Sequence, residues 1–460
     1  MKTSVQSVIG RLRHGIVPMG YCRTECGTVP RDWIKFYLGD IYTERNEPGN
    51  ENLPLLMVSI HSGVSDGEVD EEQLTKKFKR IEDKTQYKRA ESGDLVFNMM
   101  RAWQGAVGTV RTRGMVSPAY IVAKPGDMVD PLFMNFYMRT DRMIKSIHRQ
   151  SYGVTDFRLR LYWDSFAAIP CVLPPLPEQR KIAAILATQD KVIELKTKLL
   201  EGTKRRKKAL MQRLLALMGE KRQEVASPRG EAASCRFSAG WQIVRLSDLF
   251  LPVNRKNAKN NKNILTISAQ DGLVSQMEYY KHQYASADTS GYTLLKEGEF
   301  AYNKSRAGEF PYGAIKMLKK YEEGVVSPIY LCFAAKKGVC QDFWSYYFNG
   351  GMVNHGLYRI AQEGARNHGL LNIPTDEFFN LELRVPPIAV QRRIVAVLST
   401  ADREIDLMEK ELNALELKKK ALMQLLLTGI VRVGEAASCR LERAGNEAAG
   451  SRFSTRIAKV

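Results

Sequence analysis

One long stretch of this sequence occurs twice, and the repeat constrains the fold more than any other feature. The first copy begins at Pro174 and reads PPLPEQRKIAAILATQDKVIELK; the second begins at Pro386 and reads PPIAVQRRIVAVLSTADREIDLM. Both copies run on into KKALMQ at a constant, gap-free offset of 212 residues. A repeat this far apart indicates a duplicated half of a protein, because solenoid units repeat every ~20–50 residues.

Each copy predicts one long helix that begins after a Pro-Pro step, since the residue before a proline is disfavoured in the α region. Apolar residues in the second copy alternate steps of four and three, which is heptad spacing. The same positions in the first copy are more polar, with Gln189, Lys196, Thr203 and Lys207 among them. Two stripes in register favour a mutual coiled coil, and an ordinary long core helix is the alternative for either copy. The predicted stripe of the second copy is Ile394, Leu398, Ala401, Ile405, Met408, Leu412, Leu415, Lys419, Leu422 and Leu426.

The duplication extends to the regions before the helices, which open at Trp33 and Trp241. Glycine-bounded strand patterns, a Val-Ser-Pro step and a helical segment follow in the same order in both halves. Each half therefore predicts a mixed α/β globule followed by one long helix. The predicted division is a weakly ordered lead-in (1–29), a first globular domain (30–173), a first helix (174–218), a linker (219–239), a second domain (240–385), a second helix (386–430) and a mobile tail (431–460).

The charge balance points to a polyanionic partner. The 460 residues carry a formal charge of +19, and the sequence pI is about 9.5. Basic residues are concentrated between Glu178 and Arg213, on the first helix. Nucleic acid is favoured over an anionic membrane, because no amphipathic anchor is evident. Without a signal peptide or an apolar run of about 18 residues, the expected location is the cytoplasm.

No pattern in the sequence indicates catalysis. It contains neither a Gly-rich phosphate loop nor a GxGxxG motif after a strand, and its histidines form no HxxxH or HExxH pair. Cys22 and Cys26 lie close, but no second pair completes a zinc set. We therefore expect a binding protein with no cofactor or metal on this chain.

Polar side chains at equivalent places in the two halves are candidates for reading DNA bases, which requires forked or paired donors on rigid loops. The alternative is that these are ordinary turn residues and hairpin edges, and that Trp103 belongs to the core. The candidates in the first half are Asn98, Arg101, Trp103, Gln104, Tyr152, Thr155, Arg158 and Arg160. Those in the second half are Asn303, Lys304, Arg306, Arg366, Asn367 and His368.

The two Pro-Pro helices, each preceded by a globular region containing GDLVFN or GEFAYN and then VSP, resemble the specificity subunit of type I restriction–modification systems. The resemblance covers residues 30–430. It implies an α/β (mixed α+β) protein in which two long antiparallel coiled-coil helices separate two target recognition domains, related by a pseudo-twofold duplication. The helix-entry residues are then candidates for subunit docking: Pro174, Pro175, Gln179, Arg180, Pro386, Pro387, Gln391 and Arg392.

The resemblance also implies the partners. Each domain is expected to read one half of a bipartite, asymmetric site on double-stranded DNA. Two methyltransferase subunits and the restriction/translocase subunits are expected to dock on this chain and to carry S-adenosylmethionine, ATP and Mg. One departure is Ala389-Val390-Gln391 in place of Pro177-Glu178-Gln179, which is expected to alter one docking contact. A tandem regulatory DNA-binding protein without methylase partners, and an enzyme in its own right, are the alternatives.

Overall fold

The computed structural model describes residues 5–60, 63–65, 83–153, 158–216, 241–268, 272–280, 288–305, 310–363 and 371–433. The chain forms two compact units. Unit 1 consists of Met1–Lys196 and Glu411–Val460, and unit 2 of Thr197–Lys410. Each unit therefore contains one globular domain and a part of each long helix. The predicted linker, residues 219–239, lies outside the described residues.

Unit 1 is a mixed α/β globule built around a four-stranded antiparallel sheet in the order β4-β11-β8-β9. Its helices are α1 (Val5–Arg13), α2 (Leu38–Ile41), α3 (Pro131–Tyr137), α4 (Asp141–Gln150), α5 (Trp163–Ala167) and the first part of α6 (Leu176–Ala216). Its strands are β1 (Tyr21–Thr24), β2 (Gly27–Pro30), β3 (Ile34–Tyr37), β4 (Tyr42–Arg45), β5 (Val58–Ser59), β6 (Gly63–Val64), β7 (Lys88–Ala90), β8 (Leu95–Asn98), β9 (Val107–Thr109), β10 (Gly114–Val116), β11 (Tyr120–Pro125) and β12 (Pro170–Leu173).

Unit 2 repeats this plan with the sheet β14-β21-β18-β19, also antiparallel. Its helices are α7 (Leu246–Leu249), α8 (Gln276–Tyr280), α9 (Gln341–Asn349), α10 (Asn354–Ile360), α11 (Thr375–Phe379) and the first part of α12 (Ile388–Leu427). Its strands are β13 (Gln242–Arg245), β14 (Phe250–Pro252), β15 (Leu265–Ser268), β16 (Gly272–Ser275), β17 (Thr293–Lys296), β18 (Phe300–Asn303), β19 (Ala314–Met317), β20 (Glu323–Val326), β21 (Leu331–Ala335), β22 (Gln362–Glu363), β23 (Leu371–Asn372) and β24 (Glu382–Val385).

Aromatic side chains fill the core of both units. In unit 1, Phe97 of the sheet stacks on Phe166 of α5, with ring centroids 4.7 Å apart. In unit 2, Tyr302 stacks on Phe378 of α11 at 5.4 Å. Large rings that exclude water contribute most of the driving force per residue in such cores. The equivalent contact therefore attaches the short helix before each Pro-Pro step to its sheet.

Each long helix begins at the predicted Pro-Pro step. The carbonyl of Pro175 accepts a bond from the Gln179 amide at 3.1 Å, and Pro387 accepts one from Gln391 at the same distance. The predicted helix ranges were 174–218 and 386–430; among the described residues α6 spans Leu176–Ala216 and α12 spans Ile388–Leu427. The second proline of each step supplies the first helical acceptor, and its missing N–H costs no hydrogen bond because the first N–H groups of a helix have no intrahelical acceptor.

The predicted stripe is the less exposed side of each long helix. Every stripe residue, in both copies, is buried or half-buried. In unit 1, Ile182 and Leu186 of α6 join the same core as Leu422 and Leu426 of α12. Across that contact Asp190 pairs with Lys419, and Lys196 with Glu411 at 2.8 Å. The two helix segments of unit 1 are therefore antiparallel.

The helix segments of unit 2 follow the same rule. Ile394 and Leu398 of α12 share a core with Leu210 and Leu214 of α6. Lys207 pairs with Asp402, and Lys204 lies against Glu409 at 2.5 Å. The lower-numbered residue of α6 thus meets the higher-numbered residue of α12, so these two helix segments are also antiparallel. These contacts bury apolar stripes that neither helix could shield from water alone.

The prediction of a weakly ordered lead-in was wrong. Residues 5–13 form α1, and β1 pairs with β2 in a hairpin from Tyr21 to Pro30. The Tyr21 hydroxyl donates to the carbonyl of Gly429 at 2.8 Å. Val433, which the prediction assigned to the mobile tail, is buried in the unit 1 core. Residues 434–460 lie outside the described part of the chain.

Candidate nucleic-acid interface

The first candidate loop of unit 1 leaves the sheet at Asn98, the last residue of β8. The Asn98 side-chain oxygen accepts a bond from the Met100 amide at 2.9 Å, an Asx turn that fixes the exit of the strand. Arg101 and Gln104, on the short 3₁₀ turn that follows, are exposed. These two side chains are free to reach a ligand, whereas Asn98 shapes the loop.

Trp103 lies between these residues and has a different role. Its indole N–H donates to the carbonyl of Met100 at 3.0 Å, and its ring meets His148 of α4 edge-on at 5.7 Å. The half-buried ring packs against the unit 1 core. Trp103 therefore holds the loop on α4, as the core alternative expected.

The second candidate segment, called ribbon 1, consists of Tyr152–Gly153 and Arg158–Arg160, two short stretches joined by one antiparallel β-bridge. Tyr152 and Arg160 exchange both backbone hydrogen bonds, at 3.1 and 2.9 Å. Gly153 is required here, because a Cβ at this position would meet the Arg158 carbonyl oxygen at 2.3 Å. Arg158 and Arg160 are exposed. The remaining candidate of this segment, Thr155, lies outside the described residues.

Ribbon 1 and the loop after β8 form one surface. The amide of Leu161, next to Arg160, donates to the carbonyl of Met99, next to Asn98, at 2.9 Å. Residues more than fifty positions apart in sequence are thereby joined at the end of the sheet. Arg101, Gln104, Arg158 and Arg160 together give this surface three guanidinium groups and one amide.

Unit 2 builds the same surface from different side chains. The Asn303 oxygen accepts a bond from the Ser305 amide at 3.0 Å, which repeats the Asx turn of Asn98. The amide of Leu371 donates to the carbonyl of Lys304 at 3.0 Å, which repeats the link between Leu161 and Met99. The strand-end loop and the segment before the Pro-Pro helix are therefore joined in both units.

Lys304 is less available than predicted. Its ammonium group donates to the carbonyl of Ile373 at 3.0 Å, and partial burial lowers the pKa of this lysine. In this structure Lys304 therefore reinforces the joint between the two segments. The other unit 2 candidates, Arg306, Arg366, Asn367 and His368, lie outside the described residues.

A second ribbon, ribbon 2, corresponds to ribbon 1 in unit 2. It consists of β22 and β23, which pair antiparallel with Glu363 opposite Leu371. The innermost paired residues are eight positions apart in both ribbons, Tyr152 to Arg160 and Glu363 to Leu371. The sequences between these paired positions are equal in residue number but differ in composition, GVTDFRL against GARNHGL.

Sequence reasoning missed three aromatic residues beside these surfaces. Tyr162 is 36% exposed and lies against the 59% exposed Tyr152, with ring centroids 5.2 Å apart. In unit 2, Tyr312 meets the exposed Tyr358 of α10 edge-on at 6.0 Å. Large exposed rings beside exposed cations are typical of nucleic-acid surfaces. The signal in the sequence that could have identified them is an aromatic residue near each polar cluster.

The helix-entry motif has a structural role that the docking prediction did not anticipate. The Gln179 side chain is 1% exposed. Its amide donates to the carbonyls of Met128 and Pro174 at 3.1 and 2.9 Å and accepts from the Asp130 amide at 2.9 Å. Gln391 is 8% exposed and donates to Pro386 at 2.9 Å. Gln179 therefore fastens α6 to its own domain, whereas the bond of Gln391 fixes the Pro-Pro step at the start of α12.

The other residues of the motif differ in accessibility. Pro174 and Pro386 are buried, Pro387 is half-buried, and Pro175 is exposed. Arg180 and Arg392 are exposed at equivalent positions one residue beyond the glutamines. Of the predicted docking residues, these two arginines and Pro175 are the most available to a partner.

The departure of the second copy from the first has an intramolecular explanation. Glu178, which is 8% exposed, accepts two hydrogen bonds from the Arg432 guanidinium at 2.8 Å. Arg432 also donates to both carboxylate oxygens of Asp32, at 2.7 and 2.6 Å. Val390 takes the place of Glu178 in unit 2 and packs on an apolar core. The acidic residue is therefore needed where Arg432 must be neutralised.

The described residues contain no helix long and apolar enough to cross a membrane. They also contain no group of three or more His, Cys, Asp or Glu side chains placed to hold a metal ion.

Comparison with known proteins agrees with this architecture. No protein-family model matches the chain. The type I restriction enzyme MjaVIII specificity subunit of Methanocaldococcus jannaschii is 21% identical over 460 residues, covering 88% of this chain and 94% of that protein. A second relative from the same organism, named as a specificity subunit of the same kind, is 22% identical over 439 residues, covering 89% and 96%.

A solved structure from work on complex assembly and conformational transition of the type I R-M system shares the fold. It superposes with a TM-score of 0.50 at 14% identity, covering 88% of this chain and 99% of that one. The fold is thus a mixed α/β class with two globular domains and long helices. The chain is similar over nearly its whole length to type I restriction enzyme specificity subunits, which confirms the resemblance identified in the sequence.

Proposed function

We propose that this chain is the DNA sequence-recognition subunit of a type I restriction–modification complex. The observation that carries the proposal is that one surface is built twice on one scaffold but bears different side chains. Each surface consists of a strand-end loop with an Asx turn, Asn98 or Asn303, joined by a backbone hydrogen bond to the segment before a Pro-Pro helix. Equal scaffolds with unequal side chains suit a protein that reads two different half-sites.

The chemistry of the unit 1 surface fits base recognition. The major groove of B-DNA accepts a two-stranded ribbon, and arginine recognises guanine through two hydrogen bonds. Arg158 and Arg160 lie on such a ribbon, and Arg101 is exposed on the adjoining loop. The fixed backbone link between Leu161 and Met99 limits the loss of conformational entropy on binding.

The long helices link the two reading surfaces and carry further roles in this proposal. Forty-one residues of α6 extend over about 60 Å at ~1.5 Å per residue, so helix length sets the spacing between half-sites. Exposed basic residues such as Arg180 and Arg205 contribute sequence-independent attraction for phosphates. Methyltransferase and restriction subunits dock on this chain, bring S-adenosylmethionine, ATP and Mg, and extrude the adenine to be methylated.

A domain exchange tests the central claim. Residues 33–165 are replaced by the equivalent domain of a relative, and the methylated sites of the host genome are sequenced with all partner subunits present. We expect one half of the methylated site to change while the other half and the spacer persist. A change in both halves at once would reject independent reading by the two units.

A single-residue test addresses ribbon 1. Gly153→Ala places a methyl group against the Arg158 carbonyl, so the ribbon must distort while every base-reading side chain is retained. We expect methylation of cognate sites to fall at least tenfold with little loss of global stability. Arg101→Ala is the companion variant, and we expect it to lose about 1–3 kcal/mol of discrimination at one base pair. Unchanged site preference in both variants would exclude a role of this surface in base recognition.

A further inference from the structure

The loop between β14 and β15 in unit 2 carries an unusual charge. Residues 256–264 read KNAKNNKNI and contain three lysines and no acidic residue. Lys256, Lys259 and Lys262 are all exposed. In the described part of the chain neither Lys259 nor Lys262 has an ion-pair partner. The Lys256 ammonium group donates to the carbonyl of Gly291 at 3.1 Å, and the loop presents three positive charges.

The equivalent loop of unit 1 has the opposite sign. The two loops correspond because Arg45 pairs with Asp94 just before one and Arg255 pairs with Glu299 just before the other. Residues 46–56 read NEPGNENLPLL, with two glutamates and no lysine or arginine. The positive loop is thus a property of unit 2 and is not inherited from the duplicated scaffold.

Asparagine side chains fix the conformation of the lysine loop. Asn257 is 3% exposed; its side chain donates to the Asn261 carbonyl and the Thr289 hydroxyl, both at 3.1 Å, and accepts from the Asn261 amide at 2.7 Å. The Asn261 side chain accepts from the Asn263 amide at 2.8 Å and donates to Glu323 at 3.2 Å. Asn260 adopts a left-handed conformation with φ +52, which asparagine tolerates better than most residues.

The loop borders an open concavity lined in part by Asn260, Lys262, Thr289 and Ser290. Asp288 lies on the same rim and accepts a bond from the Ser290 amide at 2.9 Å. Hydroxyls, amides and an ammonium group around a concave surface match the phosphate and sugar groups of a nucleic-acid backbone. Because the backbone of this loop is already fixed, little conformational freedom is lost when such a partner binds.

We propose that the lysine loop, residues 256–263, is a DNA-backbone contact that unit 2 has and unit 1 lacks. This inference rests on the proposed function, since it assigns a second surface to the same DNA. Unit 2 then supplies more of the sequence-independent affinity for DNA than unit 1 does. Loss of the loop lowers specific and non-specific binding together, because phosphate contacts carry no base information.

The test uses the full chain with the subunits that copurify from its host, and 40-base-pair duplexes with and without a methylated-site sequence. The variant is Lys256→Gln, Lys259→Gln and Lys262→Gln combined; the matched control replaces the same lysines with arginine. We expect the slope of log K against log salt to fall by about 2–3 in the glutamine variant. Affinity at 150 mM salt is expected to fall by about 10- to 100-fold for both duplexes, with the arginine control at the parental value.

Each other outcome overturns the inference. An unchanged salt slope in a glutamine variant that unfolds like the parent means that the loop does not meet DNA. A loss confined to the duplex with the methylated sequence means that the loop reads bases instead of the backbone. Failure of the parent itself to bind either duplex would reject the proposed function and not only this loop.

Discussion

Lys419 of α12 pairs with Asp190 of α6, and a shift of 212 residues converts this pair into the one between Lys207 and Asp402. Both ion pairs lie within their own unit. Each lysine also lies over an aromatic ring, Phe136 at 5.9 Å in unit 1 and Tyr346 at 5.7 Å in unit 2. The repeat has preserved a charge pair whose position in each unit attaches the helices to the globular domain.

The aromatic residue distinguishes the two units and gives the first prediction. The Tyr346 hydroxyl donates to Asp402 at 2.5 Å, and burial together with this carboxylate raises the pKa of Tyr346. The phenol therefore stays protonated and keeps donating. We expect Tyr346→Phe to reduce the free energy of unfolding by about 1–2 kcal/mol, measured by urea unfolding. Tyr279→Phe, at an exposed tyrosine, is the control, and an equal loss there would contradict the assignment.

The two helix-entry glutamines give a matched pair. Gln179→Leu removes three hydrogen bonds and leaves the Asp130 amide without its acceptor. Gln391→Leu removes the single bond to Pro386. We expect a cost of about 2–4 kcal/mol for Gln179→Leu and about 1 kcal/mol for Gln391→Leu. Urea unfolding of the two variants checks the difference; equal costs would mean that the extra bonds contribute nothing.

The ion pair of Glu178 with Arg432 is tested by a double-mutant cycle. Glu178→Val introduces the residue type that unit 2 uses, and Arg432→Leu removes the partner. We expect Glu178→Val alone to cost about 2–3 kcal/mol, because Arg432 then lies near an apolar side chain with only Asp32 left to neutralise it. The double variant should recover about 1 kcal/mol or more of the summed losses. Strict additivity of the two unfolding free energies would show that the groups are not coupled.

Asp32 gives a pH prediction. The hydrogen bonds and charge of Arg432 lower the pKa of Asp32 below its ordinary value. Because the folded pKa is depressed, the stabilisation is complete above the unfolded pKa, near 4, and is lost as the pH falls through the lower folded value.

We expect Asp32→Asn to unfold about 0.5–1 kcal/mol more easily than the parent at pH 7, a modest value because this side chain is 54% exposed. The difference should shrink toward zero as the pH falls from about 4 to 2. Urea unfolding across this range measures it. A gap that stays constant at low pH would rule out the charge on Asp32 as its source.

Gly202 gives a stabilising substitution. It lies within α6, and a Cβ there would meet nothing within 4 Å. Glycine costs about 0.5–1 kcal/mol relative to alanine inside a helix because it loses more backbone freedom on folding. We expect Gly202→Ala to raise the free energy of unfolding by that amount without changing DNA binding. Destabilisation would reveal a need for glycine that the described contacts do not contain.

The sequence predicted those parts of the fold that depend on local periodicity or on the repeat. Both long helices, their buried stripe and the equivalent loops after Asn98 and Asn303 were identified because residues near in sequence define them. The hairpin at Tyr21 was missed because its partners include Gly429, about four hundred residues away. Short segments stabilised by such distant contacts carry little periodic signal of their own.

The surroundings of individual loop side chains could not be predicted from the sequence, for a related reason. The polar composition of the loops was evident, but composition does not show which groups the polar end of a side chain contacts. Lys304 and Arg101 looked equivalent as donors; the structure engages one with the Ile373 carbonyl and leaves the other exposed. Tyr162 was overlooked because an aromatic next to Trp163 resembles core sequence.

The bidentate contacts of Arg432 with Asp32 and Glu178 have a consequence for biosynthesis. Unit 1 is assembled from segments on both sides of unit 2 in the sequence, so a ribosome has synthesised all of unit 2 before it adds Arg432. Until then Glu178 lacks its partner Arg432, and Ile182 and Leu186 lack the α12 residues that share their core. A nascent chain must therefore keep an exposed acidic and apolar strip in solution, and a premature stop codon near position 428 would impair the domain that was translated first.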